Sequence, residues 1–132
     1  MTPLVPISWG ELIDKITILE IKTERLSAPA AQTNAAHELS LLRTALAELA
    51  EPPPGLPLLC AELAAVNRRL WDIEDDIRRL DAAGDFGALF VALARAVYRS
   101  NDERSRIKRA INALLGSAII EEKQYVDHRN AE

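Results

Sequence analysis

Ser100, Asn101 and Arg104 interrupt an apolar seam, and that interruption is where this chain concentrates side chains able to do chemistry. From Phe86 onward, Phe86, Phe90, Leu93, Val97, Ser100, Arg104, Ile107, Ile111 and Leu114 follow at alternating steps of four and three. That spacing describes one helix face packed against neighbouring helices. An arginine on a core-facing stripe needs its charge met. A carboxylate of the chain would meet it in a polar layer that fixes helix register. A bound carboxylate or phosphate would meet it as a ligand gripped by the guanidinium. Lys15, Lys22, Arg25 and Lys108 are the candidate helpers for an anion. If the helices alternate up and down about a turn at Gly84 and Asp85, Arg104 lies level with Ala65, Leu42 and Ile18. Glu62, Glu38 and Glu20 are then the carboxylates expected within reach.

A second constellation is the run Trp71-Asp72-Ile73-Glu74-Asp75-Asp76. Asp72, Asp75 and Asp76 share one helix face at three- and four-residue spacing, an arrangement that can hold a hard cation such as Mg²⁺. Arg68, Arg69, Arg78 and Arg79 flank them, and ordinary helical ion pairs use the same residues without a metal. Trp71 sits beside the stripe, where a tryptophan seals a bundle edge or a subunit contact. Trp9 reads as a lid on the bundle end. His37 and His128 stand far apart, so no zinc spacing arises. Neither a glycine-rich phosphate loop nor a nucleophile triad is present.

The elements that must position these residues are punctuated clearly. Ser8 and Glu11 have the form of a capping box, with Ile7 and Leu12 placed as a hydrophobic staple. The first helix is expected over about 8–26, and Ile18 and Ile21 widen its apolar face beyond a single seam. A face that broad suits the centre of a bundle or a dimer contact. A second helix is expected over about 30–50, with Ala35, Leu39, Leu42, Leu46 and Leu49 in register. A stiff proline run follows, and Pro57 suits the first position of a third helix over about 57–83. Gly84 reads as a left-handed stop and Asp85 as the cap of a fourth helix over 85–115, closed by Gly116. A short C-terminal extension, with room for a helix or strand through Ile119, Ile120 and Tyr125, completes an all-α, antiparallel four-helix bundle made of two hairpins.

The 132 residues suffice for one domain with a core of its own. A net charge of −4 argues against nucleic acid as the main partner. The charge is uneven: residues 1–66 carry four basic and eight acidic side chains, and residues 67–132 carry twelve of each. Cys60 is the single cysteine, so no internal disulfide forms. No signal peptide and no membrane-spanning run is apparent, and the expected location is the cytoplasm.

Several strings also resemble a bacterial family of small all-helical proteins of unknown function. They are Glu11 to Lys22 (ELIDKITILEIK), Leu70 to Arg78 (LWDIEDDIR), the series Tyr98, Asn101, Asp102, Arg104, Ile107, Lys108, Ile111 and Asn112, and the ending Gly116-Ser117, Ile119, Glu121-Glu122-Lys123. The resemblance brings no activity with it. It implies that these mixed apolar and charged words serve a shared polar site or a shared oligomer contact.

The leading expectation is a non-enzymatic interaction or scaffold module, homodimeric through the broad face of the first helix or the Trp71 edge, with no cofactor. Its polar layer comprises Arg104, Asn101, Ser100 and a glutamate, Glu20 or Glu62. The alternatives are a small-anion site lined by Lys15, Arg25, Asn101, Arg104 and Lys108, related in architecture to helical chorismate mutases, and a Mg²⁺-dependent phosphohydrolase using Asp72, Asp75 and Asp76.

Overall fold

The computed structural model describes residues 1–126, and His128 with the polar chain end lies outside them. Among the described residues the chain is all helical: α1 Trp9–Arg25, α2 Pro29–Leu46, α3 Leu56–Ala82 and α4 Ala88–Leu115. Two hairpins, α1–α2 and α3–α4, pack as a four-helix bundle in which α1 meets each of the other three helices. α2 rests on α1 alone. α1 therefore needs apolar residues around most of its girth. Leu12, Ile16 and Leu19 join Ala35 and Leu39 of α2 in one core, and Ile13 joins Leu63, Val66, Ile107 and Ile111 in another. Ile21 is 1 % exposed, so the breadth of this helix is spent largely inside the chain.

The punctuation behaves as its chemistry requires, with instructive departures. Ser8 caps α1 by accepting from the Glu11 amide at 3.1 Å. The capping box stops there, because the Glu11 carboxylate turns instead toward Lys108. Ile7 stays exposed rather than stapling the turn. Gly84 and Gly116 take positive φ, as a left-handed helix stop demands. α2 ends at Leu46, four residues short of the expected boundary, where the Glu48 and Leu49 amides bond the Ala45 and Leu46 carbonyls in tighter turns. α4 begins at Ala88 rather than Asp85, since the Asp85 carboxylate accepts from the Gly87 amide and closes a turn outside the helix. The extension from Ser117 to Val126 forms neither helix nor strand. Ion pairs of Glu121 and Glu122 with Lys108 and Arg109 lay it back along α4.

The apolar seam of α4 is a core over only part of its length. Ser100, Ile107 and Ile111 are buried, but Phe86 is 58 % exposed and Phe90, Leu93 and Val97 are half-buried. Leu114 is exposed at the other end. The reason is length. α1, at 17 residues, is too short to cover helices of 27 and 28 residues.

Gly10 marks the closest approach of α1 to α4. A Cβ added there would lie 2.5 Å from the Lys108 carbonyl oxygen and 2.8 Å from Asn112 Oδ1. Both are held in place, the first by helix backbone and the second by its 2.7 Å hydrogen bond from the Gly10 amide. Gly10→Ala is expected to destabilise the fold by about 1–3 kcal/mol, the usual cost of overpacking, measured as a lowered urea midpoint with helical content retained.

Candidate functional site

One stripe of α1 faces α4 with polar or small residues: Gly10, Asp14 and Thr17, at helical steps of four and three. Asp14 is wholly buried. Arg104 of α4 grips its carboxylate with two prongs, Nε donating to Oδ1 at 2.9 Å and Nη2 donating to Oδ2. From α3, Asn67 Nδ2 donates to Asp14 Oδ1 at 2.9 Å and to Thr17 Oγ1 at 2.8 Å. Thr17 in turn donates to the Asp14 carbonyl. Three helices are thus tied at one carboxylate.

Lys108, one turn along α4, extends the network. Its Nζ donates to Glu11 at 2.6 Å and to Glu121 of the returning tail at 2.9 Å, and stands 3.9 Å from Asp14. Asn112 accepts from the Gly10 amide, and Ser117 accepts from the Trp9 amide at 3.3 Å. Among the described residues, every buried side-chain nitrogen and oxygen has a hydrogen-bond partner. Asp14, Glu11 and Glu121 face Arg104, Lys108, Lys15 and Lys123, three negative charges against four positive.

Burial alone would push the Asp14 carboxyl upward, and that is the largest single influence on it. The hydrogen bonds from Arg104 and Asn67 and the charges of Arg104 and Lys108 outweigh it, and the group lies below its ordinary 3.8. The Asp14 hydrogen bond, opposed by burial, raises Arg104. Burial pulls Lys108 down, yet the Glu11 and Glu121 hydrogen bonds leave it raised. Asp14, Arg104 and Lys108 therefore hold their charges at neutral pH.

Of the two partners expected for Arg104, a carboxylate of the chain meets it, and that carboxylate is Asp14 rather than Glu20, Glu38 or Glu62. Glu20 pairs with Arg43 of α2, Glu38 is exposed, and Glu62 is half-buried without an ion pair among the described residues. The level estimate was one helical turn out. Ile18 lies beside Arg104 in a shared groove, while the charged partner sits four residues earlier. Asn101 accepts a long 3.4 Å bond from Arg104, and Ser100 is buried in the same layer. Of the proposed helpers, Lys15 reaches Glu11 at 3.6 Å, while Arg25 is drawn to the far end of α1 by Asp72 at 2.5 Å. Asn67, Thr17, Glu11, Asn112 and Glu121 were not assigned to the layer from sequence. The signal lay in the Gly10–Asp14–Thr17 spacing, a small and polar stripe set between the apolar positions of α1.

The aspartates on α3 do not converge. Asp72 binds Arg25, Asp76 binds Arg79 at 2.6 Å, and Asp75 lines a separate groove. Among the described residues no three His, Cys, Asp or Glu side chains gather as a metal set. That groove, about 520 Å³, runs between Ile18 of α1, Trp71, Glu74, Asp75 and Arg78 of α3, and Asn101 and Arg104 of α4. Cys60 packs against the core, and burial followed by the Glu20 charge pushes its thiol up, which suits a small hydrophobe better than a nucleophile. No helix among the described residues is long and apolar enough to cross a membrane.

A family model described as a family of unknown function, DUF6165, matches residues 4–130. No curated protein and no solved structure matches the chain.

Arg104→Ala would strand the buried Asp14 carboxylate and is expected to cost about 3–5 kcal/mol, whereas Asp14→Leu with Arg104→Met should recover most of that loss. Chemical denaturation of the single and double variants measures both. The pH dependence has a definite sign. A depressed carboxyl stabilises the fold above its ordinary 3.8, and that contribution is lost as pH falls through the lowered value. Wild-type urea midpoints should therefore fall more steeply below about pH 4 than those of the double variant.

Proposed function

We propose that this chain, which belongs to the family of unknown function DUF6165, is a non-enzymatic protein-interaction or scaffold module of the bacterial cytoplasm that works as a homodimer. The observation supporting this reading is the self-sufficiency of the polar layer. Arg104, Lys108, Lys15 and Arg25 are the cations an anion site would need, and each is engaged by a carboxylate of the same chain. Displacing Asp14 from Arg104 in favour of a ligand would leave a fully buried carboxylate without its main partner, a large cost. A polar layer of this kind specifies helix register and orientation.

The words through which the chain resembles its family fit the same reading. Glu11 and Asp14 come from the first, Asn101, Arg104, Lys108 and Asn112 from the third, and Ser117 and Glu121 from the last. Glu11, Asp14, Asn101, Arg104, Lys108 and Glu121 are joined through the paired charges, and Asn112 and Ser117 hold the first turn of α1 against the end of α4 beside them.

A thermal-shift screen against citrate, inorganic phosphate, nucleotides and Mg²⁺ or Mn²⁺ tests the proposal. The expected result is a flat response. A saturable rise in melting temperature would overturn it in favour of a binding site, because a ligand at about 100 times its dissociation constant adds ~2.7 kcal/mol.

A further inference from the structure

The end of the α3–α4 hairpin is left without a neighbour. α1 finishes at Arg25, whose guanidinium reaches Asp72. Beyond Asp72, α3 continues for ten residues to Ala82, about 15 Å. From Glu74 through the turn to Arg99 no side chain is buried. The apolar rhythm does not stop there: Ile77 and Leu80 continue it on α3, and Phe86, Phe90, Leu93 and Val97 carry it on α4. Phe86 and Phe90 meet edge to face at 5.2 Å, and Phe86, Leu89 and Val91 are more than half exposed. Two helices cannot enclose a seam of their own, so this surface is half of a bundle.

The charges on the same stretch suggest what completes it. Along α3 the acidic Glu74 and Asp75 precede the basic Arg78 by about one turn, and all three line the groove that opens at the hairpin's base. None of them has an ion-pair partner among the described residues, although the arginines nearby are paired. A helix whose acids precede its base is complementary to its own reversed copy. Packed antiparallel about a two-fold axis near Asp76, Glu74 of one copy faces Arg78 of the other, and the contact repeats by symmetry. The Arg69–Glu103 hydrogen bond sets α3 against α4, and with the turn at Gly84 it brings Leu93 to Val97 level with Asp76. The same axis then sets Leu93 opposite Val97 of the second copy, so apolar and charged positions come into register together.

We infer that the projecting α3–α4 hairpin is a dimerisation arm, and that its occupant is the same arm of a second copy, antiparallel, forming an intermolecular four-helix bundle. This inference rests on the interaction-module reading and adds to it the partner, the surface and the register. It also moves the interface away from the broad face of α1 to a surface continuous with the Trp71 edge. The apolar seam supplies affinity, and the Glu74–Arg78 pairs select orientation and partner.

The experiment is sedimentation over a concentration series, with circular dichroism to verify that each variant keeps its helices. The wild-type chain is expected to be dimeric at tens of micromolar. Glu74→Arg and Arg78→Glu should each weaken the dimer at least about tenfold, or ~1.4 kcal/mol, because each puts like charges across the axis twice. An equimolar mixture of the two variants should dimerise again, since an arm basic at both positions 74 and 78 then meets one acidic at both. Pairing within one helix cannot produce that rescue. A monomeric wild type at these concentrations would overturn the inference and assign the arm to a different protein. A dimer indifferent to both substitutions, or variants that fail to rescue one another, would overturn it by placing the interface elsewhere. A monomeric wild type would also remove the homodimer from the proposed function, whereas its non-enzymatic character stands or falls separately, on the small-ligand screen.

Discussion

A buried carboxylate cannot exist in a helical bundle unless the surrounding elements are arranged to receive it. Asp14 imposes that condition here. Its two oxygens take the forked guanidinium of α4 and the amide of α3, while Thr17, one turn later, takes the second hydrogen of the same amide. Sliding or rotating any of the three helices by a turn would leave the charge unpaired, so a bundle whose apolar rhythm tolerates several registers is confined to one. The apolar contacts around the layer supply cohesion and the layer supplies uniqueness, a division of labour known from other buried polar groups.

The layer also explains details that would otherwise be unrelated. Glu11 leaves its capping role because Lys108 requires a partner. Gly10 must be a glycine because α1 has to approach α4 closely enough for the Asp14 bonds to form. The tail after Gly116 turns back along α4 because Glu121 and Glu122 are held by Lys108 and Arg109. The first two features are local in sequence yet required by interactions that span roughly a hundred residues, while the tail is held across thirteen.

α2 stands apart from this arrangement. It touches α1 alone, with Ala35 and Leu39 as its buried residues, and makes no bond to the polar layer. α3 and α4 extend in the other direction, past the end of α1. The molecule is therefore a three-helix body locked at Asp14, with α2 braced on one side and a two-helix arm projecting from one end. A fold of this shape has its polar network turned inward and its exposed apolar side chains at the arm.

The sequence by itself determined the four helices and most of their ends, though not the end of α2 or the start of α4, because seam spacing, the Ser8 cap and the Gly84 and Gly116 stops are local signals that act within a turn or two. It also determined that Arg104 needs an anionic partner, since desolvating a guanidinium carries the same requirement in any fold. Only the tertiary structure decided that this partner is Asp14. The choice depends on the axial offset between helices, and one turn of about 5.4 Å exchanges one facing residue for another. It likewise decided which part of the α4 seam is core and which is arm. That depends on how far a separate helix, α1, extends beside it, and no pattern within α4 encodes the length of its neighbour.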